Sequence, residues 1–475
     1  LTLYSRGIWG NTDTMNTRIW FVFAAALVML AAPLAGTINT SFSFDRISQD
    51  AGTADGDLDP LVDLSLTVDV LRARKLDVVI GQPPSFTVRV AVNGETWESD
   101  AVQDFDVWEI GTVSFDIPDD EPEVAVSIEV LQDGETMDIS GDGTLELTYN
   151  VWRGDWTGDD ARGDPSGYGH AIGSEDNDSD ATDYEVWFDI GFNDYDGDGL
   201  TYWEEVNVYD TDPEQSNAGE DADDDGVPIE WEDHWGYDPF EAENHATMDP
   251  DRDGLQNTEE YMMEQWLADP YRQDIYLEND YVAPGRGVTP VMPTESLQMQ
   301  YSSFAEHDIM MLADDGMMGG SDEIPFDDKL DWDELSEIYN EYFLHGDEDN
   351  PRRGVFHYVI ICHDMARVFG RGVAGCNFMR DSFLVGSAYV QRWRPWEEGM
   401  IIGHGGTYMH ELGHQLGLPH LRTFPWQTAY WLSGAYESCM NYRYNFKIVD
   451  YSDGSGGGPY DRDEWSSLNL ARVDG

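Results

Sequence analysis

The sequence predicts a multidomain chain: an N-terminal β-sandwich, a segment of acidic loop repeats, and a C-terminal α/β (α+β) domain. Three observations predict it. Apolar and polar residues alternate with period two over much of 61–190. The pattern Asp-x-Asp-x-Asp-Gly occurs three times within 191–270. From 271 to 475, short apolar runs alternate with amphipathic stretches, and a histidine-rich helical pattern stands at 410–420. At 475 residues the chain exceeds one ordinary core, so separate domains are expected.

Charge narrows the functional classes. The chain carries 95 acidic against 25 basic residues, a net −70, and its lysines are Lys75, Lys329 and Lys447. Phosphate contact needs a cationic surface, so nucleic acid is excluded as a main partner. Such an excess of carboxylate instead points to divalent cations, to a high-salt milieu that screens self-repulsion, or to both.

Residues 1–36 read as an upstream segment followed by a secretory signal. Met15 to Arg18 give a positive start, 19–34 an apolar run, and Ala35-Gly36 small residues. The run is short for a spanning helix. A secreted or cell-surface protein is expected, with an uncleaved N-terminal attachment as the alternative. Residues 37–60 are polar and read as a linker. Cys362, Cys376 and Cys439 do not make a disulfide framework.

Within 61–190 the alternating runs are 64–70, 85–92, 124–130, 145–149 and 184–190, broken by Gly, Pro and Asp turns. That pattern predicts an antiparallel sandwich. The Gly- and Asp-rich stretch 153–183 reads as a long loop or a metal-ligating insertion.

The repeats begin at Asp194, Asp221 and Asp249. Each supplies oxygens at positions 1, 3 and 5: Asp194, Asp196 and Asp198; Asp221, Asp223 and Asp225; Asp249, Asp251 and Asp253. A glycine follows at position 6 for a sharp turn. The backbone carbonyls of Leu200, Val227 and Leu255 fall at position 7, and Glu205, Glu232 and Glu260 at position 12. This is the spacing of a calcium loop. Three matches in register predict about three structural calcium sites. Between 155 and 275 the basic residues are Arg162, Arg252 and Arg272, so without cations the segment would repel itself. The repeats look like thrombospondin type 3-like or EF-hand-like calcium loops.

In 271–475, strands are expected at 274–278, 309–312, 355–361 and 382–389, and helices at 294–307 and 331–344. A Gly-rich lead-in at 403–406 and a final helix at 459–475 complete the pattern. Residues 410–420 read HExxHxxGxxH. His410 and His414, four apart, share one helix face and can aim two imidazoles at one point. Glu411 is placed to reach a water rather than the ion. Gly417 can end the helix in a left-handed conformation, Pro419 bars its continuation, and His420 returns as a third ligand. Three protein ligands with an open fourth position suit a catalytic zinc ion.

This stretch resembles the zinc motif of the metzincin metallopeptidases. The segment Ser438-Cys439-Met440-Asn441-Tyr442 fits that family's methionine turn. The resemblance implies a floor at Met440 beneath the histidines and Glu411 as general base. It also implies protein or peptide substrates laid beside an edge strand, for which 382–389 is the candidate. Tyr442 stands where some metzincins place an extra ligand or an oxyanion stabiliser; an ordinary packed tyrosine is the other reading. His357, His363 and His404 are not at ligand spacing and read as core or surface residues; His404, six residues before the motif, is alternatively a support for the site. The resulting expectation is a secreted zinc endopeptidase stabilised by calcium. The rival is a calcium-dependent surface adhesion or binding protein whose peptidase domain is vestigial.

Overall fold

The computed structural model describes residues 64–472 except 78–80, 119–121, 142, 152, 161–166, 174–181, 315 and 366–372. The export signal expected within 1–36 and the linker expected at 37–60 lie outside the described residues. Among the described residues no helix is long and apolar enough to cross a membrane.

The alternating N-terminal segments form two antiparallel sheets. One has the order β10 (Gly169–Ile172), β11 (Tyr184–Phe192), β1 (Ser65–Lys75), β5 (Asp106–Asp116). The other runs β3 (Glu95–Glu98), β2 (Ser85–Val92), β6 (Glu123–Gln132), β8 (Leu145–Asn150), β9 (Asp155–Gly158), with β4 (Val102–Gln103) and β7 (Glu135–Thr136) at its margins. Alternate side chains of both sheets, among them Leu66, Val68, Val88, Val90, Val126, Ile128 and Phe188, fill one buried core. The stretch 153–183 is not one long loop or insertion: it supplies β9 and β10. Trp156 anchors the first in the core, and a Cβ on Gly169 of the second would overlap the Phe188 ring.

The pairing of β1 shifts between Val70 and Arg72. An extra residue there changes which side chains face the core. Before it, Leu66, Val68 and Val70 point inward; beyond it, Ala73 does, and Arg72 and Arg74 meet a different surrounding. Both guanidiniums lie over the buried Trp187 of β11, at 4.7 and 5.2 Å from the ring centroid, and Arg272 lies at 5.8 Å. Arg74 Nη1 donates to the Met311 carbonyl at 3.1 Å, tying the sandwich to the C-terminal sheet. Trp187 shares one apolar cluster with Leu255, Tyr276 and Leu312.

The C-terminal sheet has the order β13 (Met310–Asp314), β12 (Asp274–Val282), β15 (Phe356–Cys362), β17 (Ser382–Gly386), β16 (Gly375–Asn377), with β14 (Glu323–Ile324) also beside β12. All pairs are parallel except β16 with β17. Strands β15 and β17 are buried throughout, as expected when both faces are covered. One face packs on helices Thr294–Ala305 and Glu397–Gln415, through Leu297, Phe304, Tyr408 and Leu412. The other packs on Leu335, Ile338 and Phe343.

Four expectations for this domain change. The strand at 382–389 ends at Gly386, and residues Ser387–Trp393 are helical, with Tyr389 and Trp393 touching four residues apart. That strand is also not the edge, because β16 pairs outside it. Glycines 403–406 are not a lead-in but lie inside the helix Glu397–Gln415. They are small because other chain segments press on them: a Cβ on Gly405 would sit 3.0 Å from Val449, and one on Gly406 would overlap the Asn445 carbonyl. The last expected helix is two 3₁₀ turns, Trp465–Ser467 and Leu470–Arg472, after a glycine-rich loop.

Trp187 is both a core residue and the surface on which three buried cations lie. Trp187→Ala is therefore expected to cost about 3–5 kcal/mol, read as a lower urea midpoint with unchanged slope.

Candidate active site and acidic loops

The helix Glu397–Gln415 carries His410, Glu411 and His414 to the sheet's β16 margin. It stops as Gly417 takes φ +97° and the Leu418 N–H returns to the Gly413 carbonyl at 2.7 Å. The chain then doubles back. Leu421 and Asn441 form a parallel bridge, with Leu421 N to Met440 O at 2.9 Å and Tyr442 N to Leu421 O at 3.2 Å. This clasp joins the loop bearing His420 to the methionine turn. Met440 is fully buried, and a Cβ on Gly413 would sit 2.7 Å from its sulfur. Gly413 thus lets the helix rest on Met440.

The three imidazoles converge, each with a ring nitrogen within 4.8 Å of the others. His410 Nδ1 is 2.8 Å from the Cys439 carbonyl, and His414 Nδ1 is 2.8 Å from the Leu418 carbonyl. A carbonyl can only accept, so each ring donates from Nδ1 and turns an Nε2 lone pair inward. His420 Nδ1 lies 2.9 Å from His414 Nε2, a hydrogen-bond distance that brings the third ring to the same point. Burial, aided by His414, lowers the His410 pKa to about 3. Burial also lowers His414 and His420. Neutral rings are what metal ligation requires.

Glu411 is 7% exposed, and burial raises its pKa to about 7. Asn377 of β16 donates to Glu411 Oε2 at 2.8 Å and to its carbonyl at 3.0 Å. Strand β16 passes so close that a Cβ on Gly375 would sit 2.6 Å from the Glu411 side chain. The Tyr442 ring is 4.9 Å from that of His420 and 43% exposed.

Asn377, Gly375 and Glu464 were invisible in the sequence. Glu464 is buried and accepts hydrogen bonds from Ser438 Oγ and Tyr436 OH, holding the methionine turn. No motif spacing marks such residues; they are defined by what the fold presses together. His404 does not touch the site: it bonds Met400 O and Ser387 Oγ. His357 and His363 also stay apart from it, and no disulfide joins the three cysteines.

In the acidic segment the three aspartates of each loop gather within 4.8 Å. Gly199, Gly226 and Gly254 take φ of +101°, +109° and +106°, so the sharp turns need glycine. The side chains of Leu200, Val227 and Leu255 are buried, leaving their carbonyls to the loops. Glu205, Glu232 and Glu260 are at most 1% exposed. Oxygens of Asp196, Glu205, Asp223, Glu232, Asp251 and Glu260 are buried without a hydrogen-bond partner. Burial and neighbouring carboxylates raise Asp196 to about 6, Glu205 to about 7, and Glu232 and Asp251 to about 8. Buried carboxylates without a counter-charge are unfavourable, so this donor set fits divalent cations.

No protein-family model matches the chain, and no curated protein does. Among solved structures, 27% of the chain is similar to the SMP and paired C2 domains of extended synaptotagmin 2, at 13% identity over 27% of that chain, TM-score 0.19. The same share is similar to human GIVD cytosolic phospholipase A2 with an inhibitor and terbium chloride, at 12% identity over 17% of that chain, TM-score 0.19. A 28% share is similar to a C2 domain of plant extended synaptotagmin 1, at 11% identity over 94% of that chain, TM-score 0.18. The chain thus spans well under a third of the first two relatives. At these TM-scores the likenesses carry no argument.

The raised carboxylates set a pH dependence. Their unfolded pKa is about 4, and a folded pKa of about 6–8 means that protonation favours the folded loops. Ion-free stability is then full below pH ~4 and lost as pH rises through about 8. With chelator present, limited proteolysis of 194–274 is expected to accelerate from pH 5 to pH 8. Calcium should abolish that trend.

Proposed function

We propose that the chain is a secreted zinc-dependent endopeptidase of metzincin type, with calcium stiffening its acidic repeats. The observation that carries the reading is the convergence of His410, His414 and His420, two of them locked by backbone carbonyls, beside the buried Glu411. A zinc ion held by these three rings would polarise a peptide carbonyl and acidify a water. Glu411 would serve as the base for such a water and pass its proton to the leaving amine. A pKa near neutrality suits both halves of the task. Asn377 fixes Glu411 by holding Oε2.

The substrate lies extended against β16, the outer strand, and adds to the sheet through main-chain hydrogen bonds. Tyr442, exposed beside His420, is placed for a substrate oxygen.

The test is casein hydrolysis by the secreted protein in calcium and salt. Glu411→Ala is expected to reduce the rate by at least about 10²-fold with zinc content unchanged. Hydrolysis that persists in Glu411→Ala, or that ignores a zinc-selective chelator, would sink the mechanism. An inactive wild type would favour calcium-dependent adhesion instead. Gly375→Ala, whose methyl meets the Glu411 carboxylate at 2.6 Å, is expected to lower kcat while the thermal midpoint stays near wild type. An unchanged kcat would show that β16 does not constrain Glu411.

A further inference from the structure

The middle acidic loop differs from its neighbours in one donor. In each unit a later N–H returns to Oδ2 of the fifth-position aspartate: Asn217 to Asp198 at 3.0 Å, Glu243 to Asp225 at 2.9 Å, Asp274 to Asp253 at 2.8 Å. Two residues beyond that N–H stand Gly219, His245 and Tyr276. Only the middle unit has an imidazole there.

His245 is fully buried, with its ring walled by Trp231 and Tyr237 at centroid distances of 5.7 and 4.8 Å. Its Nε2 has no hydrogen-bond partner, and neither does either oxygen of the fully buried Glu232. Three carboxylate oxygens ring this nitrogen: Asp225 Oδ2 at 3.3 Å, Glu232 Oε1 at 3.6 Å, Glu243 Oε2 at 4.0 Å. An imidazolium bonding a carboxylate would close to about 2.7–2.9 Å. Ligands around a tetrahedral ion with zinc-type bonds of about 2.0–2.1 Å stand about 3.3–3.4 Å apart. The 3.3 Å distance to Asp225 matches shared ligation, and all three distances exceed that of a charge-assisted hydrogen bond.

The other ring nitrogen is also prepared. Nδ1 lies 2.9 Å from the Asn257 amide nitrogen, Nδ2, and the amide oxygen is buried without a partner. With that oxygen turned to Nδ1–H, the ring donates there and Nε2 offers its lone pair to the carboxylates.

We propose that the middle unit binds a divalent transition-metal ion of the zinc class through His245 Nε2, Asp225 and Glu232, with Glu243 closing the shell. The first and third loops present oxygen alone and take calcium. A hard cation gains little from an imidazole, whereas zinc favours one. The proposal rests on reading 194–274 as an ion-binding segment and is independent of hydrolysis.

The test is metal analysis of the full chain equilibrated with zinc and calcium and then desalted. His410→Ala/His414→Ala, which removes the first zinc site, is expected to retain about one zinc. Adding His245→Asp, which replaces nitrogen by oxygen, should remove that zinc and raise bound calcium. In the otherwise unaltered protein the same His245→Asp change should lower zinc from about two equivalents to about one, which guards against misfolding of the double variant. Cobalt(II) bound to His410→Ala/His414→Ala should give the visible absorption of a low-coordinate site, lost with His245→Asp. No zinc in His410→Ala/His414→Ala, or zinc retained after His245→Asp, overturns the proposal. Failure of casein hydrolysis alone leaves these counts unaffected, so the two readings fail separately.

Discussion

Two backbone carbonyls, those of Cys439 and Leu418, decide what His410 and His414 can do. A carbonyl accepts and never donates, so each ring must give its proton to Nδ1 and keep a lone pair on Nε2. Much of the C-terminal domain holds those carbonyls in place. Glu464 pins the turn around Cys439 through Ser438 and Tyr436. Met440 fills the space under Gly413, and Gly417 folds the chain so that Leu418 faces back. The glycine face of the long helix lets residues 445–449 pass close enough to close the turn. The site is thus a property of backbone approach as much as of its histidines.

The second organising constraint is charge. Several buried oxygens of the acidic loops, among them both of Asp223, Glu232 and Glu260, have no hydrogen-bonding partner. They share space with aromatic side chains rather than with lysines: Trp231 stacks on Tyr237 at 5.8 Å and meets Tyr261 at 6.4 Å. Such a core is favourable only when cations or protons neutralise the carboxylates. Arg252 of the third loop is exposed, and the buried basic side chains sit elsewhere. Arg72, Arg74 and Arg272 lie on Trp187, where the sandwich meets the rest of the chain.

Local patterns in the sequence carried most of the strands and the three loops, because both have short periods. Residues 85–92 form a strand with the expected limits, and 145–149 extends by one residue. The convergence of His410 and His414 was legible because helix geometry turns a four-residue spacing into proximity. What was not legible depends on sequence-distant contacts. Glycines 403–406 look like a loop until the chain at 445–449 lies against them. Ser382–Gly386 looks like an edge until the three residues of β16 pair outside it. Asn377 reaches Glu411 from 34 residues away. His245 lies beyond the twelve-residue loop pattern, so no spacing singled it out.

The Asp253 carboxylate serves two structures at once. Its Oδ1 accepts the Leu255 N–H inside the third loop, and its Oδ2 accepts the N–H of Asp274, the first residue of β12. A ligand group that also anchors a strand makes the two equilibria reciprocal: whatever free energy the ion lends to the sheet, the sheet returns to the ion as affinity. An ion in the third loop would therefore be held more tightly in the folded chain than by the same twelve residues as a free peptide. Loosening of the C-terminal domain, by heat or by substitution, would be felt at that loop as weaker binding of such an ion.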